Sequence, residues 1–467
     1  MTPAVASCLC VAFVLWALRR QAKLTRGLRL GLWLPFVWVG INASKPVGYW
    51  FEPAKLVTDV EATMEGSPLD RNLSLLLIAL GLIALLTRRI DWRLIFAENR
   101  WLWIFHAYLL ISVAWSDYPF VAFKRWFKDL GNVIMILIIV TEKDPVAAVR
   151  RVLSVCPYFL LPLSVLFIKY YPAIGRGYDR WVGTTFYCGV TTNKNALGVL
   201  ALLSGLMLVW NLAEARGRPV SRGGRVTMVV DVLLLVLSVW ILIIARSATS
   251  SVCFVVGLIV FVASHFQAFK GNIRRLSWCG AGMAFFSLLL IGIPELRTLI
   301  VGGLGRDVTL TGRTIIWQAA LDAGTDPLIG TGFGSFWLAA DSIKLSENWA
   351  LTEAHNGYLE TYLNSGLIGV ALLVGVLIAA GKNALRQLST GSALGHFYLG
   401  LFLSGIIYNY TEAAFNVNHL VGFWLWLIAV RYSRSVATQP VRREAASDAP
   451  TSERAEEDRP GLGAQQT

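Results

Sequence analysis

The sequence predicts an all-α, polytopic membrane protein of about 12–13 transmembrane helices with one large loop outside the membrane. Three observations carry this. Of 467 residues, 55% are hydrophobic and 15% charged, where a soluble globular chain holds roughly a quarter charged residues. Apolar runs approaching the ~20 residues that cross a bilayer recur along the chain. Basic residues gather in alternate loops, the pattern of a chain that crosses repeatedly.

The runs fall at 4–18, 28–43, 72–87, 100–115, 120–140, 150–170, 194–212, 227–245, 249–264, 277–294, 358–381, 394–411 and 416–431. Taking alternate connections as inner collects 21 Lys and Arg, from Arg19 and Arg20 to Lys382 and Arg386, against six acids. That net +15 exceeds the +13 of the whole chain, so the basic excess records topology rather than affinity for nucleic acid. The first run has no basic residue before it and Arg19-Arg20 after it, which turns the N-terminus outward. The longer connections 44–71, 171–193 and 295–357 then face out, the last being the large loop. Residues 1–432 form the transmembrane region. The segment 433–467, rich in Ala, Ser, Pro, Glu and Arg and free of aromatics, reads as a disordered cytoplasmic tail.

Several classes fall away. No Walker A motif, no dinucleotide fingerprint and no long polar stretch exist, which excludes an ATP-driven pump. Cys8, Cys10, Cys156, Cys188, Cys253 and Cys279 show neither CxxC nor Cys/His ligand spacing, so they read as small buried side chains. No outer carboxylates stand at ligand spacing beyond Asp322 and Asp326, so no metal or cofactor is expected.

Chemistry outside the cytoplasm has no ATP and needs a substrate that arrives activated, such as a glycan on a lipid pyrophosphate. Cations then hold the phosphates, and a base takes the proton of the incoming hydroxyl. The outward candidates are Arg176 and Arg180 in GRGYDRW, Arg246 in IIARSATSS, Arg313 in LTGRTIIW and His355 in EAHNGYLE. Arg246 interrupts the apolar region 227–264, at a cost of at least ~2.5–3.5 kcal/mol near membrane depth. It either meets an anion or a wet cavity, or snorkels from a hairpin turn. His355, just before the run at 358–381, titrates near neutrality and suits a base, or else serves as a helix cap. His106, His265, His396 and His419 read as structural. Gly330 to Gly334 (GTGFG) lacks the strand context of a nucleotide loop and reads as a tight turn that brings backbone close to a neighbour. Lys124, Arg125 and Lys128 share one helical face, as headgroup anchors or phosphate contacts.

The segments AWSDYP (114–119), GVTTNKNALG (189–198), RSATSS (246–251), GRTIIWQAALDAGTDPLIGTGFGSFW (312–337) and HNGYLETYLNSGLIG (355–369) resemble the O-antigen ligase and polysaccharide polymerase superfamily, in its exopolysaccharide polymerase-like branch. The resemblance runs from about 100 to 430. It implies a glycosyltransferase of the bacterial inner membrane, with a periplasmic active site in the large loop 295–357. It also implies an undecaprenyl-pyrophosphate-linked glycan donor, a glycan or lipid-linked acceptor, membrane lipids as partners, and no cofactor. Carried onto this sequence, it makes His355 and Arg313 catalytic and gives substrate binding to Arg246 and Arg180; Lys194 and Asn195, with Asn193, fit its outer-surface motif as donor or structural contacts, and Arg176 joins the substrate-binding candidates as an outward cation. Polymerase and ligase share these motifs, and a transporter without catalysis is the competing class.

Overall fold

Proline and small polar side chains set where the helices begin. Pro68, Pro119 and Pro145 stand in the first turns of their helices, where the missing N–H has no partner to lose. The carboxylates of Asp91 and Asp144 accept from Leu94 N and Ala147 N, the first capping a further start at Trp92 and the second reinforcing the one at Pro145. The computed structural model describes residues 1–24, 29–51, 67–179, 183–216, 222–266, 313–338, 353–415 and 419–433. Its helices are α1 Pro3–Leu24, α2 Trp33–Asn42, α3 Val47–Phe51, α4 Pro68–Leu86, α5 Trp92–Glu98, α6 Arg100–Ile111, α7 Pro119–Val140, α8 Pro145–Leu153, α9 Leu161–Tyr170, α10 Pro172–Gly175, α11 Lys194–Arg216, α12 Arg222–Ala245, α13 Ala248–Ala263, α14 Arg313–Asp322, α15 Gly357–Ser389, α16 Ala393–Thr411 and α17 Leu420–Ala429. The all-α class holds, and the expected spans inside the described residues are helices; the expected span 277–294 lies outside them. One departure is a small hairpin in the 171–193 connection, β1 Arg176–Asp179 pairing antiparallel with β2 Thr184–Tyr187.

Six described stretches are long and apolar enough to cross a membrane: Pro3–Lys23, Pro68–Leu86, Pro145–Tyr170, Lys194–Arg216, Gly223–Ala245 and Gly357–Ser389. Shorter apolar helices include Leu30–Asn42, Ala248–Ala263 and Leu420–Ala429. α11 is apolar all round and buried from Leu197 to Leu208, so it runs through the interior with α12, α13 and α16 packed on it. α4 and α12 instead expose rows such as Leu76, Ile83, Leu233 and Ile243, a surface that suits lipid chains. Met1–Tyr432 forms one compact unit.

Side-chain contacts follow the alternation read from charge. Arg20 bonds the Gly223 carbonyl, Arg88 pairs with Glu142 and Arg431 with Glu98, each joining segments assigned to the inner face. At the other end Ser7 meets Tyr171, Lys45 Nζ donates to Ile174 O and Arg125 donates to Gly334 O. Between the ends, His106 Nε2 lies 3.3 Å from Asp129, whose other oxygen accepts from Asn132, which in turn accepts from Trp38 Nε1. This buried chain ties α2, α6 and α7 together and gives His106 the structural place its sequence context suggests.

α15 breaks at Gly366, with φ 63° and ψ −168°. The segment DPLIGTGFG fills the break: Leu367 N donates to Pro327 O, Ile368 N to Leu328 O, and Thr331 N back to Leu363 O. Backbone groups freed by the break are therefore paired, as burial at membrane depth demands. Gly330, Gly332 and Gly334 all have positive φ, and a Cβ on Gly330 would lie 2.5 Å from Ser365 N. The tight turn and close approach expected of GTGFG are thus both present. A Cβ on Gly366 would sit 2.1 Å from the Leu328 carbonyl, in a backbone region essentially restricted to glycine. Gly366→Ala is expected to cost at least ~2 kcal/mol, seen as a lowered unfolding temperature of the purified protein in detergent.

Candidate functional site

The HNG of HNGYLE is built as a corner. Asn356 caps α15, its Oδ1 accepting from Tyr358 N and Leu359 N. Gly357 leaves no room for a side chain, since a Cβ would meet Asn409 Oδ1 at 2.2 Å, and its N–H donates to Glu412 O. Ala354 is held at both ends: its N–H donates to Glu360 and its carbonyl accepts from Trp317 Nε1 of α14. Between these clamps His355 takes φ 49°. Arg246 and His355 are the two non-glycine residues with positive φ among the described residues. Such backbones cost of order 1–3 kcal/mol and concentrate at functional sites.

The corner aims His355 Nδ1 at two carboxylates, Glu353 Oε1 at 2.9 Å and Glu412 Oε2 at 3.5 Å. Glu412 is the hub. Its Oε1 also receives the Arg313 guanidinium from the start of α14, and Asn195 Nδ2 from the start of α11 at 2.7 Å. Burial opposes the charge on His355, but Glu353 and Glu412 outweigh it and raise the pKa to about 9. Burial likewise opposes ionisation of Glu353, yet His355, with His419 and Arg313, holds that carboxyl below its ordinary value. At neutral pH two cations therefore face two carboxylates, and the imidazole carries a proton rather than accepting one.

Glu353, His355 and Glu412 each bring a ligand atom within 4.8 Å of the others, a hard O, O, N set of the kind that divalent cations take. Any such ion would compete with the proton on Nδ1 and with Arg313 on Oε1 of Glu412. The donor set as folded is a charge-balanced ion-pair cluster. It brings together two outer carboxylates, Glu353 and Glu412, that no ligand spacing along the sequence marks. Asp322 and Asp326, the pair noted there, are engaged locally, Asp322 by Gln318 and Asp326 by the N–H groups of Leu328 and Ile329.

Of the residues expected from sequence, Arg313, His355 and Asn195 meet at Glu412. Lys194 precedes Asn195 at the start of α11. Arg176 is exposed on β1, donating to Ile168 O and lying over the Tyr187 ring. Arg246 is an exposed turn residue between α12 and α13, with no ion pair among the described residues. That exposure fits the snorkelling alternative. Arg180 lies outside the described residues. Arg125 donates to Gly334 O in the GTGFG turn. Sequence reasoning missed Glu353, Glu360, Glu412 and the cavity-lining His419. Glu353 was two residues from a recognised histidine, but Glu412 is 57 residues beyond it and only the fold unites them.

On one side the two carboxylates open into a cavity of about 420 Å³ between the C-terminal end of α2, the start of α4, α7 and the start of α11. Lys128 and His419, the latter read from sequence as structural, also line it.

Comparison with known proteins adds a family. Residues 233–374 match the family profile described as O-Antigen ligase, a span that contains Arg246, Arg313, Glu353 and His355 but neither Asn195 nor Glu412. The exopolysaccharide production protein ExoQ of Rhizobium meliloti (strain 1021) is 28% identical over 310 residues, covering 63% of this chain and 67% of that protein. With the helical membrane architecture and the sequence motifs, these similarities support the O-antigen ligase/polymerase-like family.

Proposed function

We propose that this protein transfers a glycan from undecaprenyl pyrophosphate to an acceptor hydroxyl at the periplasmic face of the inner membrane, in exopolysaccharide or O-antigen assembly. The observation that carries the proposal is the strained His355 corner, whose imidazole lies between Glu353 and a Glu412 already paired with Arg313. A pyrophosphate leaving group calls for fixed cations, and Arg313 with protonated His355 supplies two of them. The acceptor oxygen bonds to the anomeric carbon as the bond from that carbon to the phosphate oxygen breaks. Configuration inverts, and the lipid pyrophosphate departs with the bonding electron pair. The hydroxyl proton goes to Glu353. A histidine with pKa about 9 is already protonated, so the base role expected of His355 passes to its neighbouring carboxylate. Arg246, Arg180, Arg176 and Lys194 remain candidates for contacts to the rest of the donor.

Support for the polymerase form comes from the similarity to an exopolysaccharide production protein; the ligase form would deliver the glycan to lipid A core or to a protein. A deletion strain separates them. Loss of long secreted polymer with normal lipopolysaccharide is the expected result, restored by the wild-type gene and not by Arg313→Ala; bare lipid A core would instead assign the ligase reaction. The break at Gly366 is the one observation that favours a carrier without catalysis, since transporters use discontinuous helices at their binding sites. A carrier predicts glycan movement without release of free lipid pyrophosphate.

A further inference from the structure

We propose that the 420 Å³ cavity beside Glu353 and Glu412 is the subsite for the uncharged acceptor sugar that carries the attacking hydroxyl, with Asn42 and Lys128 as donors to it. The inference rests on the glycosyl-transfer reading above. The volume lies within the ~300–1,000 Å³ range of small-molecule sites. Its charged lining holds the carboxylates of Asp70, Glu353 and Glu412 against Lys128, while neither Arg313 nor His355 lines it. The carboxylate oxygens in this wall can accept hydrogen bonds from hydroxyls, and among the described residues no Lys or Arg beyond Lys128 lines it to hold a pyrophosphate. The cavity therefore reaches the carboxylates of the cluster without reaching its two cations. Such an arrangement separates an acceptor side from a phosphate side, with the proposed base Glu353 on the boundary.

The polar lining has distinct parts. Asp70 is part of the wall, because its two oxygens accept from Val47 N and Gly48 N at the start of α3. Asn193 likewise caps α11 through Ala196 N. Asn42, at the end of α2, is different: its Nδ2 is buried with no hydrogen-bond partner among the described residues. An unmet buried donor costs ~1–3 kcal/mol, and a turn of the Asn42 amide toward the cavity that the residue lines would give it a hydroxyl partner. Lys128, one helical turn from the Arg125 that fastens the GTGFG turn, adds an ammonium within electrostatic reach of Asp70.

The test uses the full-length protein in nanodiscs with a lipid-pyrophosphate-linked glycan as donor. The acceptor probe is an oligosaccharide released by mild acid from the producing strain's own extracellular polysaccharide. Ala196→Phe fills the cavity from its α11 wall and is expected to raise the acceptor KM at least ~10-fold, with donor KM and kcat at saturating acceptor within about twofold. Asn42→Leu, close in size, is expected to raise acceptor KM ~5–10-fold, the equivalent of one lost hydrogen bond. Saturation-transfer NMR of the oligosaccharide should weaken in parallel. Unchanged acceptor KM in both variants, or a rise in donor KM instead, overturns the proposal. Absence of lipid pyrophosphate release by the wild type would refute the transfer reading itself, while NMR binding that responds to the two variants would still support a saccharide site.

Discussion

Glu412→Ala is expected to reduce transfer at least ~100-fold and to destabilise the protein by ~3–5 kcal/mol, the cost of leaving a buried charge without its partner. Arg313 is 15% exposed in its side chain and Glu412 6%, so the guanidinium left behind has little water to turn to. The same substitution frees Asn195 Nδ2 and removes one of the two carboxylates that hold His355 protonated. Glu412→Gln keeps the shape and can still accept from Asn195, so it should recover part of the stability without recovering transfer. Thermal unfolding of the detergent-purified variants, read beside a transfer assay, checks both. A double-mutant cycle with Arg313→Ala should show a coupling of at least ~1 kcal/mol, since the two side chains touch. Strict additivity would remove Glu412 from the role of hub.

The second large effect concerns pH. With the His355 pKa raised from 6.5 to about 9, transfer should be flat between pH 6 and 8 and decline as the imidazolium is lost near pH 9. A neutral histidine base would instead impose an acid limb near 6.5. Stability follows the same group. A raised folded-state pKa means that its stabilising contribution is complete below about 6.5, the unfolded value, and fades as pH climbs through 9. The unfolding temperature of the wild type should therefore fall relative to His355→Ala across that window. His355→Ala itself should lose at least ~100-fold in transfer, comparable to removal of one transition-state donor. A wild-type profile that rises with pH through 6.5 would return the base role to His355.

How much of this was legible in the sequence differs by feature. Helix placement followed from apolar runs and loop charge, because burial in lipid leaves the backbone no alternative to internal pairing. Arg313 and His355 stood out as polar residues at the edge of apolar segments, and their meeting agrees with the family motifs. The GTGFG turn was legible because closely spaced glycines at a positive φ leave a direct mark. Glu412 was not, since TEAAF has no spacing to distinguish it and its significance comes from α16 ending where α14, α15 and α11 begin. The break in α15 was hidden for a related reason. LNSGLIG reads as an ordinary apolar helix until the Pro327 and Leu328 carbonyls are seen taking the N–H groups of Leu367 and Ile368. Arg246 shows the converse: an unusual sequence position became an exposed turn residue, so its charge needs no buried partner. Conformation at His355 and Arg246 is a tertiary outcome that no local propensity of those residues announces.

In the proposed mechanism this membrane protein breaks a glycosyl–pyrophosphate bond with the cluster of Arg313, Glu353, His355 and Glu412. The most direct measurement incubates the purified wild-type protein with an undecaprenyl-pyrophosphate-linked glycan and acceptor, and quantifies released lipid pyrophosphate against glycan transferred. One lipid pyrophosphate for each transfer, absent in folded Arg313→Ala and Glu353→Gln variants, is the predicted result. Glycan relocated across the bilayer with its pyrophosphate still attached, in the wild type and the variants alike, would overturn the proposed mechanism.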